Sequence, residues 1–596
     1  MKDKDICGEA QTIEEFTEDM ERYPGYFDFY WDENQGKVWL EIDKFDEKFL
    51  YLDSLTAGLG SNDVGLDRNQ MGETRIVKFQ RTGPKVLMIQ PNYSFRAISE
   101  NPYERKAVEE AFVTSVIWGF DVKVEEDKRV LVDATSFIIR DVKGVRRTLK
   151  EKEQGEYELD ENRCVVFLPG TRNFPLNTEF EAVLTFRGKE PGKYIEQVAP
   201  NPHALTFRQH HSFVQLPDDD YEPRRYDIRS SFFGISYKDY ASPVDEPLEK
   251  RYICRHRLRK RNPSAEVSEP VEPITYYVDR GVPEPIRGAL IEGASWWNQA
   301  FESIGYKDAF RVELLPEDAH PLDIRYNVIN WVHRSTRGWS YGMSVRDPRT
   351  GEIIKGNVAL GSLRIRQDFL IAEGLVADYE EEDASEMLEM ALARIRQLSV
   401  HEVGHTLGLG HNYASNVNGR ASVMDYPAPL VKIDEGGSLD LSEAYEEGVG
   451  AWDKVSIAYG YQDLPPGLDE EEELDSILEE AFTGGLYFAP SQDAGPESAN
   501  PLAASWVNGE NALDEFERIM RVRKIALEVF GEEKIHIGRP MAELEEVLVP
   551  IYLLHRYQME AAASVLGGIY YHHKVRGGVQ KSPEFIPAEE QRRALN

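Results

Sequence analysis

The sequence predicts a multidomain α+β protein, and three patterns along the chain support that prediction. Residues 20–250 contain short apolar runs separated by Gly and Pro turns, which is typical of antiparallel β structure. From residue 274 to 462, strand-like runs alternate with longer stretches of helical spacing. Residues 505–575 show helical spacing almost throughout. A chain of 596 residues has room for about three or four such units.

The boundaries between these units follow changes in composition. A basic stretch from Arg251 to Arg261 runs into a Pro-, Glu- and Ser-rich segment, which is typical of a linker. We therefore divide the chain into a β-rich N-terminal region (1–261), a linker (262–273), a mixed domain (274–462), an acidic and then Gly/Pro-rich connector (463–504) and a helical C-terminal segment (505–596). We expect the N-terminal region to be an accessory domain, or a pro-region that is removed at the linker.

The N-terminal region contains a pair of adjacent histidines, His210 and His211. Neighbouring residues on a strand point to opposite faces of a sheet, so this pair cannot easily bind one metal ion. We expect a strand in which one of these histidines is buried and the other is exposed.

The mixed domain is expected to combine a sheet with three helices. The predicted strands and hairpin are 274–278, 310–315, 324–332 and 345–360, and the predicted helices are 285–301, 385–407 and 441–459. The second helix carries an apolar stripe at helical spacing, and His401 and His405 lie at the edge of this stripe. This places the two histidines at the boundary between the core and a cleft.

The most informative motif is H-E-x-x-H-x-x-G-x-x-H at residues 401–411. His401 and His405 are four apart on a helix, so they lie on one face, about 40° apart at roughly 100° per residue. Gly408 allows the chain to leave the helix, because glycine tolerates left-handed dihedral angles. His411 can then supply a third ligand. Three protein ligands plus water form the open arrangement of catalytic zinc.

Glu402 lies beside the predicted zinc ligands, where it can take a proton from water at the metal. A bare H-E-x-x-H pattern also occurs on ordinary helix surfaces. A third histidine and a glycine in register make that interpretation much weaker. The sequence therefore predicts one catalytic zinc ion with Glu402 as the general base.

A second motif, S-x-M-x-Y, follows at residues 422–426. Together the two motifs resemble the metzincin zinc endopeptidases, in which the long zinc motif is followed by a methionine turn. The resemblance implies a metzincin-like fold for residues 274–462, zinc as cofactor and a protein or peptide substrate. It also implies that Met424 forms a hydrophobic floor below the histidines, and that Tyr426 ligates zinc or stabilises an oxyanion.

The same resemblance implies an edge strand above the zinc that pairs with an extended substrate through main-chain hydrogen bonds. Our candidate consists of Asn357, Val358, Ala359 and Leu360. The chain is also similar, for instance at residues 56–63 and 276–279, to large bacterial zinc-dependent metalloproteases with a long β-rich N-terminal region. That likeness implies an extracellular or periplasmic location. The cytoplasm is the alternative, because the first residues show no signal-peptide pattern.

The composition argues against several partners. Asp and Glu number 105 and Lys and Arg 69, so the formal net charge is −36. Such a surface repels nucleic acid and anionic membranes, and no apolar run is long enough to predict a membrane span. The acidic clusters at 218–220 and 380–383 could bind calcium, but they lack the glycine-punctuated spacing of a calcium loop. The sequence gives no prediction of oligomeric state.

Two other functions stay open beside a zinc endopeptidase. A non-catalytic module could hold zinc while the N-terminal region binds a polymer, although the intact Glu402 argues against this function. The same zinc site could instead hydrolyse a non-peptide amide, which a closed pocket would favour. An inhibitory N-terminal prodomain is compatible with the peptidase prediction.

Overall fold

The computed structural model describes residues 12–335, 338–379, 385–465, 467–495 and 497–596. Within them the chain forms a β-rich N-terminal region, a mixed α/β domain and a helical C-terminal part, as the sequence predicts. The acidic cluster 380–383, considered for calcium, lies outside the described residues. None of the helices in the described part of the chain combines the length and apolar character needed to cross a bilayer.

The N-terminal region is built on one sheet of thirteen strands. The strands of the region are β1 (Glu21–Tyr23), β2 (Phe29–Asp32), β3 (Lys37–Ile42), β4 (Lys48–Ala57), β5 (Arg75–Thr82), β6 (Lys85–Gln90), β7 (Phe95–Arg96), β8 (Ser115–Glu126), β9 (Arg129–Asp133), β10 (Glu156–Leu159), β11 (Val165–Val166), β12 (Arg172–Asn173), β13 (Asn177–Lys189), β14 (Ala204–Gln215), β15 (Gly234–Asp239) and β16 (Glu249–Ile253). Its helices are α1 (Ile13–Phe16), α2 (Pro102–Ala111), α3 (Thr135–Ile138), α4 (Val145–Glu151) and α5 (Lys193–Val198).

The large sheet has the order β1-β2-β3-β9-β8-β6-β5-β4-β14-β13-β10, with β11 and β12 also on β13. Strands β16, β15 and β7 form a separate small sheet. The core of the large sheet is aromatic, because Phe27, Phe49, Phe79 and Phe213 meet at ring-centroid distances of 5.0 to 6.1 Å. Ring pairs of this kind each add about 0.5–1.5 kcal/mol beyond area burial.

The histidine pair on β14 corrects the sequence prediction, because both His210 and His211 are fully buried. Strand β14 lies between β4 and β13, so it has no exposed edge, and both of its faces are covered at this point. His210 forms an ion pair with Glu179 on β13. The Nδ1 atom of His211 lies 2.9 Å from the hydroxyl of Tyr51. The expectation of one exposed histidine was therefore wrong.

The mixed domain has a second sheet with helices packed on it. Its strands are β17 (Arg255–His256), β18 (Ile274–Val278), β19 (Phe310–Leu314), β20 (Asn327–Val332), β21 (Tyr341–Arg346) and β22 (Glu352–Gly361). Its helices are α6 (Ile286–Ser295), α7 (Trp297–Ser303), α8 (Arg364–Val376) and α9 (Ser385–Thr406). The strands follow the order β17-β22-β20-β18-β19, and β21 pairs with β22 in the antiparallel sense. The single helix predicted over 285–301 is two helices that meet at Trp296.

The predicted substrate-edge strand, Asn357, Val358, Ala359 and Leu360, is not at an edge. These residues lie in β22, which has β20 on one side and β21 on the other. Within the described residues, β21 pairs with no strand other than β22. Strand β21 is therefore the edge strand here. The prediction chose the wrong arm of the hairpin, because residue spacing shows where a hairpin turns but not which arm pairs inward.

Part of the N-terminal region belongs to the core of the mixed domain. Strand β17 pairs in parallel with the start of β22, and Phe232 is buried in the same apolar cluster as the apolar residues of α9. Arg224, only 5% exposed, donates hydrogen bonds to the carbonyls of Tyr459 (2.9 Å) and Gln462 (3.0 Å). The boundary drawn at residue 261 therefore crosses a continuous core.

The remaining elements follow α9 along the chain. They are α10 (Ala451–Tyr461), α11 (Glu470–Thr483), α12 (Ala512–Glu528), α13 (Leu544–Tyr552), α14 (Arg556–Ala563), α15 (Ala588–Leu595), β23 (Lys432–Ile433), β24 (Leu439–Asp440), β25 (Ile569–Tyr570) and β26 (Glu584–Phe585). Among them, β23, β24 and α10 still belong to the mixed domain. The predicted connector 463–504 contains α11, whose Leu474 and Leu478 are buried in the mixed-domain cluster. This segment is therefore part of the folded core.

Candidate metal centre

The three predicted zinc ligands come together at the end of α9. His401 and His405 lie on its last two turns, and His411 lies in the following loop. One ligand nitrogen from each histidine can be chosen so that all lie within 4.8 Å of one another. The turn between them needs glycine, because Gly408 has φ +104° and a Cβ there would lie 1.9 Å from the carbonyl oxygen of Cys254.

The hydrogen bonds of the three rings fix which nitrogen is free. The Nδ1 atom of His401 is 2.8 Å from the Val423 carbonyl, and that of His405 is 2.7 Å from the Leu409 carbonyl. A carbonyl can only accept, so in these two rings Nδ1 carries the proton. The Nδ1 atom of His411 is 2.8 Å from the hydroxyl of a serine, Ser491. In each ring this arrangement leaves Nε2 available for a metal.

The environment of the histidines suits a cation. Burial lowers the pKa of all three rings, to about 4 for His405 and about 3 for His411, so each imidazole is neutral near pH 7. The Nε2 atoms of His401 and His411 are buried without a hydrogen-bond partner. Unpartnered buried acceptors are costly, and a bound ion would satisfy them. The residues present therefore fit zinc, which accepts three neutral imidazole ligands.

Glu402 lies next to the ligands and is held by the edge strand. The side chain is 4% exposed, and its Oε2 atom has no hydrogen-bond partner. Burial raises the pKa of Glu402 to about 8, while Arg394 and the backbone N–H of Gly342 oppose the shift. Gly342 brings β21 directly onto α9, since a Cβ there would lie 2.2 Å from the Glu402 carbonyl oxygen. The carboxylate is thus placed between the zinc ligands and the edge strand.

The methionine turn packs under the helix where the resemblance implies. Met424 is 1% exposed, and a Cβ on Gly404 would lie 2.3 Å from its Sδ atom. This contact requires a residue without a side chain at position 404. Met424 therefore packs as an apolar side chain beneath the first turn of the zinc motif.

The buried carboxylate of Asp453 anchors this turn, a role that no local sequence pattern indicates. Asp453 accepts hydrogen bonds from the Ser422 hydroxyl (2.6 Å), the Val423 amide (2.8 Å) and the Gly450 amide (2.7 Å). Burial raises its pKa to about 6, and these donors oppose the shift. Because the carbonyl of Val423 orients His401, Asp453 supports a zinc ligand through the turn.

We expect Asp453→Ala to weaken zinc binding roughly 10- to 100-fold, as the loss of an outer-shell partner does elsewhere. Three buried donors would lose their acceptor, so we also expect a lower melting temperature. Zinc affinity would be measured by competition with a chelating dye, and melting by calorimetry. Asp245→Ala is the matched control, because Asp245 is exposed. Unchanged zinc affinity in Asp453→Ala would contradict the supporting role.

Tyr426 follows the methionine turn in the chain, and its ring lies beside two histidines of the zinc motif. Its ring centroid is 4.7 Å from that of His411 and 5.4 Å from that of His401, and it stacks on Trp506 at 5.4 Å. Burial raises the pKa of Tyr426, so its hydroxyl keeps its proton near neutral pH. The position allows the hydroxyl to act at the metal centre, and the role implied by the resemblance stays a prediction.

Two segments far from the motif in sequence complete the site. The side-chain amide of Asn412 donates a hydrogen bond to the Tyr487 carbonyl (2.9 Å) and accepts one from the backbone N–H of Ala489 (3.0 Å). This contact brings Ser491 to His411. On the other side, the Gly408 carbonyl accepts from the amide of a phenylalanine in the N-terminal region, Phe233, at 2.7 Å. Asn412 directly follows the third histidine in the sequence, but no sequence pattern indicated that its partners are Tyr487 and Ala489.

Three neutral imidazoles, one buried and two partly buried, with a buried glutamate beside them and a methionine turn beneath them have the arrangement of a zinc site of the metzincin class. Residues 383–596 match the family model described as Met-zincin, which confirms the resemblance seen in the sequence. The match and the histidine cluster support a zinc metallopeptidase in general and imply zinc as its metal. Residues 69–261 match a model described only as a domain of unknown function. The chain has no significant match among curated proteins or solved structures.

Proposed function

We propose that the protein is a zinc-dependent endopeptidase with Glu402 as its general base. The main support is the position of this carboxylate, which is buried beside three available Nε2 atoms and has one oxygen without a partner. A residue with this environment has little structural use, because an unpartnered buried carboxylate oxygen costs stability. Such a cost is typical of a catalytic site.

The proposed reaction divides the work between the metal and the side chains. Zinc, when held by His401, His405 and His411, supplies a Lewis acid that polarises a carbonyl and makes water more acidic. Glu402 takes a proton from the attacking water and passes it to the nitrogen of the leaving amine. The position of Glu402 suits both steps, because its carboxylate is buried beside the three Nε2 atoms and has one oxygen without a hydrogen-bond partner.

The open edge of β21 favours a peptide as the substrate. This strand contacts α9 at Gly342, directly above Glu402. Within the described residues its second edge pairs with no strand, so an extended chain can add to the sheet by main-chain hydrogen bonds. An open edge accommodates residues on both sides of a scissile bond, which suits an endopeptidase. It argues against a small non-peptide amide, for which a closed pocket would be expected.

The test is hydrolysis of a quenched fluorescent casein by the purified chain, with bound zinc measured on the same sample. We expect one zinc per chain and cleavage that a zinc chelator removes and added zinc restores. One bound zinc without cleavage of casein or of a broad peptide mixture would support the non-catalytic module instead. A chain without bound metal would contradict the proposal.

We expect Tyr426→Phe to lower kcat roughly 100-fold with little change in KM, since the hydroxyl would act on charge that develops only in the transition state. The ring and its stacking on Trp506 are kept in this variant. Tyr103→Phe is the control, because Tyr103 is 80% exposed. Steady-state kinetics on a fluorogenic peptide would measure both. A native kcat in Tyr426→Phe would remove this residue from the mechanism.

A further inference from the structure

The edge strand β21 is held at its start by a segment of the N-terminal region. Its first residue, Tyr341, donates a hydrogen bond from its hydroxyl to the Asp67 carboxylate at 3.2 Å. Arg334, which follows β20, donates from Nε to the same carboxylate oxygen at 2.7 Å. The side chains of Asp67 and Arg334 are only 1% and 2% exposed. A buried ion pair therefore joins the N-terminal region to the strand that borders the metal centre.

The connection that leads into β21 makes further contacts with the same segment. The backbone N–H of Trp339 donates to the side-chain oxygen of Asn62 at 2.9 Å. The Trp339 carbonyl accepts from Nη1 of Arg334 at 3.2 Å. Earlier in the connection, the backbone N–H of Ser335 donates to the Gly60 carbonyl at 2.8 Å. Both backbone groups of Trp339 are thus fixed two residues before β21 begins.

The segment that makes these contacts, residues 58–67, is anchored in the N-terminal core. Val64 and Leu66 are buried in the apolar cluster of the large sheet. The backbone N–H of Leu59 donates to the Leu66 carbonyl at 2.7 Å, which closes the segment on itself. This close turn needs a glycine at position 58, since a Cβ on Gly58 would lie 2.3 Å from the same carbonyl oxygen. We call residues 58–67 the clamp segment.

Strand β21 has no room to move towards the zinc-binding helix. Gly342 directly follows Tyr341, and a Cβ on Gly342 would lie 2.2 Å from the Glu402 carbonyl oxygen and 2.9 Å from the Cβ of His405. The outer edge of β21, in contrast, pairs with no strand in the described part of the chain. The position of this free edge is therefore set by β22, by α9 and by the clamp segment at its start.

The chemistry of the Asp67–Arg334 pair suits a positioning role. A buried ion pair adds little stability compared with apolar residues of the same volume, because both charges lose their hydration. Its charged hydrogen bonds are short and directional, so the pair fixes geometry. Nε and Nη2 of Arg334 both lie within 2.7 Å of the oxygen that also accepts from Tyr341. A shift of about 1 Å in β21 would disturb this contact, and shifts of that size already misalign a substrate.

We propose that the clamp segment fixes β21 in the position that pairing with an extended substrate requires, with Asp67 and Asn62 as positioning residues. The inference rests on the proposed endopeptidase function. It goes beyond that function by making the N-terminal region part of the peptide-binding apparatus. It also gives a role to residues of the 56–63 stretch, which the zinc chemistry does not use.

The experiment compares two quenched fluorescent peptides that share one scissile bond, taken from a cut site mapped in casein. One peptide has ten residues and the other has four, so only the longer one can pair along all six residues of β21. Kinetics and bound zinc are measured on the full chain.

Two variants of the full chain weaken the clamp segment in different ways. Asp67→Leu combined with Arg334→Met removes both charges and keeps an apolar pair of similar volume, a change that buried ion pairs tolerate. Asn62→Ala removes the acceptor of the Trp339 N–H and changes no charge. Asp121→Asn is the matched control, because Asp121 forms its ion pair with Lys85 at the surface and its side chain is 82% exposed.

We expect wild type to prefer the ten-residue peptide at least about 10-fold in kcat/KM, as roughly two additional main-chain hydrogen bonds provide. In the double variant this preference should fall below about threefold, through a higher KM for the longer peptide. The values of kcat/KM for the four-residue peptide and of bound zinc should stay as in wild type. Asn62→Ala should show a smaller change in the same direction.

Hydrogen exchange supplies a readout that a general loss of stability would not reproduce. Backbone amides of residues 341–346 should exchange faster in both variants, while those of α9 keep their wild-type rates. Faster exchange throughout α9 and the large sheet would assign the kinetic change to destabilisation and overturn the inference.

Equal kcat/KM for the two peptides in wild type, or a length preference kept intact in the double variant, would also overturn it. If the double variant does not fold, the length preference of Asn62→Ala decides in the same way. The affinities of both peptides for zinc-loaded Glu402→Gln, with and without the clamp substitutions, separate the inference from the proposed function. A length-dependent affinity that the substitutions remove, without any cleavage by wild type, would support the clamp and reject the endopeptidase. Neither binding nor cleavage of either peptide would reject both.

Discussion

Glu402→Gln is expected to lower kcat/KM for peptide cleavage by roughly 100- to 10,000-fold while one zinc stays bound per chain. The amide keeps the size of the side chain but cannot take a proton, so the general-base contribution of about 100- to 10,000-fold is lost. The zinc ligands are untouched, because the Nδ1 partners of His401 and His405 are backbone carbonyls. Activity would be measured on a fluorogenic peptide and zinc by atomic emission.

The control for this variant is Glu386→Gln, an exposed glutamate on the same helix. It should keep wild-type activity and zinc content. If Glu402→Gln cleaved peptide at a rate within tenfold of wild type, Glu402 would not be the base. If it lost activity and zinc together, its effect would be on metal binding, and the kinetic argument would fail.

Removal of residues 1–261 is expected to give an unfolded or insoluble chain without activity. The truncation takes Phe232 out of the core that also buries α9, and loss of one such side chain alone costs about 3–5 kcal/mol. It also removes β17 from the sheet and leaves the carbonyls of Tyr459 and Gln462 without Arg224. Together these losses are comparable with the total stability of an ordinary domain, about 5–15 kcal/mol.

A cut in the chain distinguishes loss of the shared core from release of an inhibitory prodomain. The control protein carries a specific protease site inserted between Pro263 and Ser264, where the chain is exposed. After cleavage, the two pieces should stay together in gel filtration and keep their activity, because the contacts across the cut remain. A soluble fragment of residues 262–596 that is more active than the full chain would contradict this prediction and support a prodomain.

The sequence was most informative where function depends on local spacing. The positions of His401, His405 and His411 follow from the helical repeat and from one glycine, so the metal centre could be predicted from residues 401–411 alone. The β-rich character of the first half could also be predicted, because apolar alternation and turn residues are local signals. Each of these features is decided within about ten residues of chain.

Pairing and burial between distant segments were beyond the sequence. The prediction that β22 forms the substrate-binding edge of the sheet was wrong. In the assembled sheet β21 pairs with β22 and lies at the edge instead. The prediction that one of His210 and His211 is exposed failed because both faces of β14 are covered at these residues, so that each ring is fully buried. Linker-like composition at 262–273 likewise says nothing about the core contacts that residues 224–256 make with the mixed domain.

By itself, then, the sequence predicted a zinc site and the class of fold around it, and it is the source of the proposal that Glu402 is the general base. The tertiary structure decided what supports and surrounds that chemistry. Asp453, Ser491 and Phe233 lie 29 to 178 residues from His411 or Met424 along the chain, yet each one anchors or lines the site. Their roles arise from long-range packing, which brings together side chains that no local pattern connects.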